Sequence, residues 1–315
     1  MIVRDSRPPP RCGASADEPV NAAMTDPTAE PVLRHVTCAH PGGLHRLAYW
    51  QWGDAANPDV VLCVHGLTRN GRDFDALAQR LAPRKRVVCP DIAGRGRSDR
   101  LRDPNLYGLP QYIADCVTLI ARLDVERLAW IGTSMGGLIG MSYAALPGNA
   151  VAKLVLNDVG PEIDPVGLQR IATYVGTDPR YPSFEAAEQA LRLAMVNFGP
   201  HTDEQFRLLS RHALVRIGDT WGMNYDPAIA VPVKATVAAL AASGAQPPSL
   251  WPLYDQIGCP TLVLRGAQSD VLSPEVAAQM SARGPRAQVV QFEGVGHTPT
   301  LIVDDQIAAV ERFLG

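Results

Sequence analysis

The chain has 315 residues, of which 46% are hydrophobic, 19% are charged and 6% are aromatic, and its formal net charge is -3 at pH 7. This composition is typical of a globular protein and excludes a disordered or fibrous chain. A charge so close to zero gives no support for binding nucleic acid or an anionic membrane, because both need clustered lysine and arginine. Small neutral partners are therefore favoured, and the length suits one large α/β domain or two ordinary ones.

The amino-terminal residues 1–30 are rich in proline, aspartate and alanine and show neither helical nor strand periodicity. We predict a disordered tail here. No apolar run follows the basic start, so we expect no secretory signal, and Met24 is an alternative initiator.

The six cysteines are thinly spread, with no CxxC pair and no histidine at zinc-ligand spacing. We therefore expect no metal site. Two of them, Cys63 and Cys89, lie in apolar runs where a free thiol behaves as a small hydrophobe. Free thiols favour a cytoplasmic location over secretion.

From residue 32 onward, strand-like and helix-like segments alternate, which is typical of a doubly wound, mostly parallel sheet with helices on both faces. An antiparallel pair at 32–38 and 45–53 opens the sheet. Further strands are predicted at 59–66, 86–92, 127–133, 152–160, 259–266 and 287–294. Helices are predicted at 73–82, 109–123, 135–146, 273–284 and 305–314.

The alternation stops between residues 161 and 251, where the pattern is mostly helical and rich in aromatic and apolar residues. We predict an α/β core over 31–160 and 252–315 and a helical lid over 161–251, because insertions at the carboxyl ends of such strands lie where ligands bind. A helical domain with no contact to substrate is the alternative. Trp221 and Met223 are candidates for the wall of a substrate pocket.

The stretch "GTSMG" places Ser134 between a buried strand and an apolar helix, in the pattern G-x-S-x-G. Although no charged residue occurs from Leu128 to Ala152, several glycines and Pro147 interrupt the run, so we expect no membrane span. A serine at such a turn stands at a helix amino terminus, which favours developing negative charge.

A serine nucleophile needs a histidine base and an orienting carboxylate. Of the seven histidines, His297 follows a late strand in a glycine-bounded loop before the last helix. Asp270 follows the preceding strand, and Asp158, near the end of the strand predicted at 152–160, is a rival acid. The order Ser134, Asp270, His297 matches the chain order of the α/β-hydrolases.

These residues and the stretches "HG" (65–66), "DIAGRGRSD" (91–99), "GTSMGG" (132–137), "RGAQSD" (265–270) and "GVGHTP" (294–299) resemble a lid-bearing α/β-hydrolase with a serine nucleophile. The resemblance spans the chain from about residue 32 to its end. It implies Asp270 as the acid, with Asp158 used in some branches. The backbone N–H groups of Leu67 and Met135 would then form the oxyanion hole, and His65 would brace that loop.

The resemblance implies a serine carboxylesterase for small or medium acyl esters, acting through an acyl-enzyme without a cofactor. Some similar bacterial esterases cut oligomeric hydroxyacid esters, but no motif selects that substrate. Carbon–carbon or enol-lactone hydrolysis stays an alternative, as does a ligand-binding receptor with slow turnover. The expected partner is a small-molecule ester; oligomeric state is left open, with a homodimer among the alternatives.

Overall fold

The structure is a computed structural model that describes residues 30–315. All but the last residue of the predicted tail, together with Met24, therefore lies outside the described residues. Its main feature is an eight-stranded sheet with the order β1-β2-β4-β3-β5-β6-β9-β10. The strands of this sheet are β1 (Val32–His40), β2 (Gly43–Trp52), β3 (Val60–Val64), β4 (Arg86–Pro90), β5 (Leu128–Thr133), β6 (Val151–Asn157), β9 (Thr261–Gly266) and β10 (Gln288–Phe292).

The sheet is antiparallel at one edge and parallel elsewhere. Strand β2 pairs antiparallel with both β1 and β4, whereas every pairing from β4 through to β10 is parallel. The predicted antiparallel pair and the mostly parallel sheet are thus confirmed. Because parallel strands all end on the same side, the loops after β3, β5, β6, β9 and β10 meet at one edge.

Helices cover both faces of the sheet. They are α1 (Asp75–Leu81), α2 (Leu109–Leu123), α3 (Met135–Ala144), α4 (Pro165–Tyr174), α5 (Phe184–Ala194), α6 (Asp203–Ala213), α7 (Ala230–Ser243), α8 (Trp251–Tyr254), α9 (Pro274–Ala282) and α10 (Asp304–Leu314). Helices α1 and α10 share one hydrophobic cluster with the sheet, whereas α2, α3, α8 and α9 share the other.

The central strand β3 shows how the sequence produces these two clusters. All five of its residues are buried, with Leu62 facing one cluster and Val61 and Cys63 facing the other. Successive side chains of a strand point to opposite faces, so a continuous apolar run belongs between two layers of helices. Each such buried aliphatic side chain contributes about 1.5–3 kcal/mol to stability.

Between β6 and β9 the chain leaves the sheet and forms an insertion that contains helices α4 to α8. It also contains an antiparallel hairpin of β7 (Leu214–Ile217) and β8 (Thr220–Met223), which the sequence analysis missed. Part of the insertion has its own apolar cluster, centred on Leu191, Phe206 and Leu209, and Ile302 of the core packs into it. The insertion therefore packs against the core.

Within residues 30–315, no helix has both the length and the apolar character that crossing a lipid bilayer requires.

Candidate active site

Ser134 lies at the turn between β5 and α3, on the edge where the parallel strands end. Its backbone has φ 50° and ψ -114°, a conformation that L-residues rarely adopt. A Cβ atom on Gly132 would lie 2.3 Å from the carbonyl oxygen of Gly136, and one on Gly136 would lie 1.9 Å from that of Val64. Both glycines of the motif are therefore required by close backbone packing at this turn.

The imidazole of His297 lies between Ser134 and a carboxylate. Its Nε2 is 3.0 Å from Oγ of Ser134, and its Nδ1 is 2.7 Å from Oδ2 of Asp158. A carboxylate can only accept, so Nδ1–H donates to Asp158, which leaves Nε2 free to accept the proton of the serine hydroxyl. This arrangement can raise the nucleophilicity of a serine.

The expectation that Asp270 pairs with His297 is wrong. The carboxylate of Asp270 accepts hydrogen bonds from Nε and Nη2 of Arg170 on α4, the latter at 2.8 Å. Hydrogen bonds from Arg170 are the main reason that the pKa of Asp270 lies below its usual value. The rival acid, Asp158, occupies the position beside the imidazole instead.

Asp158 is fully buried and accepts two further hydrogen bonds besides that of His297. The backbone N–H of Gly266 donates to Oδ1 at 2.9 Å, and the hydroxyl of Ser269 donates to Oδ2 at 2.6 Å. Three donors around one carboxylate hold it in a fixed position. Asp158 is therefore suited to orient the imidazole and to stabilise the imidazolium when a proton is taken up.

The loop after β3 is braced by His65. Its Nδ1–H donates to the carbonyl of Gly66 at 2.7 Å, and its Nε2 accepts from the backbone N–H of Ile92 at 2.9 Å. Burial lowers the pKa of His65 to about 3, so the ring stays neutral in this network. The structural role expected for His65 agrees with these contacts.

Arg95 also holds this loop in place. Its side chain is buried and donates from Nε to the carbonyl of Leu67 at 2.9 Å and from Nη1 to the hydroxyl of Tyr112, also at 2.9 Å. Met135 is the first residue of α3, so its N–H has no intrahelical partner. Both groups named for the oxyanion hole therefore lie on fixed backbone, and their role stays a prediction.

A cavity of about 430 Å³ opens in front of Ser134 and His297. Its lining is mostly apolar, with residues from the core on one side and from the insertion on the other. The insertion supplies Arg170, Ile171, Tyr174, Thr177, Pro179, Tyr181, Ala187, Ala190, Leu191, Ala194, Met195, Phe198, Leu209, Met223 and Tyr225. A cavity of this size takes a small or medium organic ligand.

A family model described as alpha/beta hydrolase fold matches residues 59–301, which include Ser134, Asp158 and His297. The chain belongs to the α/β-hydrolase family.

Three known proteins match this α/β-hydrolase over nearly their whole length. The 3-hydroxybutyrate-oligomer hydrolase of Cupriavidus necator is 50% identical over 291 residues, which cover 91% of this chain and 98% of that protein. The crystal structure of an alpha/beta hydrolase from Novosphingobium aromaticivorans has a TM-score of 0.81 and 41% identity, covering 91% and 99% of the two chains. A thermophilic esterase from Thermogutta terrifontis, at 23% identity and a TM-score of 0.66, shares the fold, with 91% and 98% covered.

Of the two residues suggested for the pocket wall of this α/β-hydrolase, Met223 is among the cavity-lining residues in the described chain and Trp221 is not. Trp221 instead packs edge-on against Phe184, with ring centroids 5.2 Å apart, and its backbone pairs with Tyr181. Since Tyr181 lines the cavity, Trp221 supports the wall from behind.

Two residues that the sequence analysis did not single out connect the loops of the site. Asn157, at the end of β6, is buried and donates from Nδ2 to Oγ1 of Thr133 at 3.1 Å and to the carbonyl of Pro299 at 2.8 Å. The backbone carbonyl of Asn197, in the insertion, accepts a hydrogen bond from the backbone N–H of Gly296, next to His297, at 2.6 Å. In the sequence, Asn157 could have been noticed because it directly precedes Asp158 in "LVLND". No local pattern indicated Asn197.

A second polar cluster lies between β1, β2 and α2, away from the cavity. One potential ligand atom from each of Cys38, His45 and Asp115 lies within 4.8 Å of the others, and all three residues are buried. However, Nε2 of His45 already pairs with Oδ2 of Asp115 at 3.0 Å, and Gln111 donates to Oδ1 at 2.7 Å. Burial raises the pKa of the Cys38 thiol to about 12. We interpret the cluster as a hydrogen-bonded connection between strand and helix.

Proposed function

We propose that this α/β-hydrolase is a serine esterase in which Ser134 is the nucleophile, His297 the general base and Asp158 the orienting acid. The proposal rests on one observation: two consecutive hydrogen bonds join Oγ of Ser134 to His297 and His297 to the buried Asp158, and Ser134 and His297 line a mostly apolar cavity. The proposed roles follow from the positions of donors and acceptors.

In the acylation half-reaction, Oγ of Ser134 attacks the ester carbonyl carbon while Nε2 of His297 takes the hydroxyl proton. The tetrahedral intermediate then collapses, the carbon–oxygen bond to the alcohol breaks, and the alcohol leaves with that proton. Water next attacks the acyl-enzyme with His297 again as base, which releases the acid and restores the serine. Asp158 stabilises the imidazolium in both halves.

The oxyanion of each tetrahedral intermediate needs donors that are already in place. The N–H groups of Leu67 and Met135 are our candidates, because the first lies on the loop braced by His65 and Arg95 and the second starts α3. Loss of one such donor typically costs about 3 kcal/mol of transition-state stabilisation. We further propose that the insertion over 161–251 covers the site as a lid.

We propose short linear esters of 3-hydroxybutyrate as the substrate class. The relative from Cupriavidus necator, which is 50% identical and aligns over 91% of this chain, is named for hydrolysis of such oligomers. Their repeating unit is small, aliphatic and uncharged, which suits a mostly apolar cavity of about 430 Å³. A neutral acyl chain of a few units can occupy this space without leaving charge unpaired.

The mechanism is tested by turnover of p-nitrophenyl butyrate and by fluorophosphonate labelling with peptide mapping. We expect labelling at Ser134 and a loss of about 10⁴-fold or more in kcat for Ser134→Ala. Ser142→Ala is the matched control, because Ser142 lies further along α3 and outside the cavity-lining residues of the described chain. Labelling of another serine, or turnover that survives Ser134→Ala, would overturn the mechanism.

The substrate class is tested by titrating the acid released from linear 3-hydroxybutyrate dimers and trimers. We expect hydrolysis of both that disappears in Ser134→Ala. Turnover of p-nitrophenyl butyrate without cleavage of the oligomers would reject this substrate class and leave the esterase in place. Saturable binding of oligomers with no turnover of any ester would instead support a receptor.

A further inference from the structure

Two guanidinium groups, Arg69 and Arg170, line the otherwise mostly apolar cavity. The Nε and Nη2 of Arg69 each donate to Asp73 at 2.7 Å, Nη2 also donates to the carbonyl of Leu209 at 2.8 Å, and Nη1 lies 3.9 Å from Sδ of Met195. Its side chain is only 11% exposed. Arg69 therefore fixes the wall and has little surface left for a ligand.

Arg170 is differently placed. Its Nε and Nη2 donate to Asp270, which leaves Nη1 outside this pair; the hydroxyl of Tyr174 is a further hydrogen-bonding neighbour of the guanidinium, and the side chain of Arg170 is 38% exposed. Arg170 lies on α4 of the insertion, whereas Asp270 lies on the loop after β9, so the pair joins the two walls of the site. The edge of the guanidinium that carries Nη1 is thus directed away from Asp270, and Arg170 is among the residues that line the cavity.

A guanidinium can bind carboxylates along two edges at once, and this protein contains an example. Arg72 donates from Nε to Asp75 at 2.8 Å and from Nη2 to Glu30 at 2.9 Å. The five N–H donors of arginine form a fork that permits such bridging. Arg170, with Asp270 on one edge, therefore retains the capacity to bind a second carboxylate.

We propose that Arg170 binds the terminal carboxylate of the substrate and so selects free-acid oligomers over neutral esters. The inference rests on the proposed function, since in a linear 3-hydroxybutyrate ester the chain end is the single negative charge. Charge-assisted hydrogen bonds to a carboxylate are roughly twice as strong as those between neutral groups. Arg170 would thus be a specificity-determining residue.

In the dimer, the terminal carboxylate is present only in the steps up to acylation of Ser134. Its carboxylate belongs to the alcohol half, which leaves when Ser134 is acylated. A free-acid dimer and a counterpart whose terminal carboxylate is capped as an N-methylamide, which adds no second ester bond, therefore leave the same 3-hydroxybutyryl group on the enzyme. An interaction with Arg170 acts before this common intermediate, so it changes KM and kcat/KM, and kcat stays equal for the two dimers where deacylation limits turnover.

The experiment compares kcat/KM for the free-acid and the N-methylamide-capped dimer, with each preparation normalised by fluorophosphonate titration of active sites. We expect the native protein to prefer the free acid by about tenfold. The double variant Arg170→Gln/Asp270→Asn removes the guanidinium without stranding its partner carboxylate, and it should abolish the preference mainly through KM. Asp270→Asn alone removes a competing anion and should increase the preference, whereas Arg170→Lys should retain part of it.

Arg180→Gln is the matched control, because Arg180 is an arginine of the insertion that pairs with Asp178 outside the cavity lining of the described chain. It should keep the native preference. Equal kcat/KM for both dimers in the native protein, or a preference that survives in the double variant, would overturn the inference. If the native protein turns over p-nitrophenyl butyrate but shows no preference, this inference alone fails; if it turns over no ester, the proposed function fails.

Discussion

The loops that follow β6 and β9 end neighbouring parallel strands and each carries an aspartate, yet the two carboxylates have different surroundings. Asp158 is fully buried and accepts hydrogen bonds from His297, Gly266 and Ser269. Asp270 has a side chain that is 34% exposed and pairs with Arg170 of the insertion.

The position after a strand therefore does not fix the role of a carboxylate in this fold. The carboxylate of Asp158 is held against the imidazole by two further donors, whereas the carboxylate of Asp270 is already paired with a guanidinium. The two loops are also connected, because Ser269 lies in the second loop and donates to the aspartate of the first.

Replacing each aspartate by asparagine should change kcat by very different amounts. Asp158→Asn should lower kcat on p-nitrophenyl butyrate by about 10⁴-fold, because an amide neither stabilises the imidazolium nor selects the required tautomer. Asp270→Asn should lower it by less than about threefold, since a surface ion pair contributes little. A larger loss in Asp270→Asn than in Asp158→Asn would reverse the comparison.

A smaller loss of kcat is expected when the hydrogen bond between the two loops is removed. Ser269→Ala removes the donor to Oδ2 of Asp158 and should lower kcat by about tenfold with KM nearly constant, the usual size for loss of one hydrogen bond to a charged group. Ser269→Thr keeps a hydroxyl and is the matched control. Equal rates for the native protein and Ser269→Ala would show that the second loop does not support the acid.

The smallest effect concerns acid stability. The pKa of Asp270 is lowered mainly by hydrogen bonds from Arg170, so its stabilising contribution is complete above about pH 4, the usual carboxyl value, and is lost as pH falls through the lower folded-state value. Because the pair is partly exposed, we expect less than about 1 kcal/mol.

Urea unfolding between pH 5 and pH 2 measures this contribution. The free energy of unfolding should fall slightly less steeply in Asp270→Asn than in the native protein. An identical pH dependence in both proteins would mean that the pair with Arg170 is not maintained in solution.

The sequence was sufficient to predict the sheet and much of the site. Continuous apolar runs and intervening helical periodicity predicted the strands and helices of the core, and the glycines around Ser134 and the loop around His297 led to two residues that the structure brings together. Their catalytic roles stay predictions. These patterns are local in the sequence, so a single sequence is enough to detect them.

The errors concern contacts between distant parts of the chain. The choice between Asp158 and Asp270 depends on Arg170, 100 residues before its partner, and no local pattern reveals that pair. The β7–β8 hairpin did carry a signal, since Gly218 and Asp219 separate two short strands. Without the hairpin, nothing showed that Trp221 packs on Phe184 behind the cavity wall.

The unusual backbone of Ser134 implies a trade-off between reactivity and durability. Holding a residue with a side chain in this conformation costs about 1–3 kcal/mol, which the packing of neighbouring strands must offset. Glycine at the same position would relieve that strain and remove the hydroxyl. A descendant released from selection for turnover could therefore gain thermal robustness by one substitution at its former reactive centre.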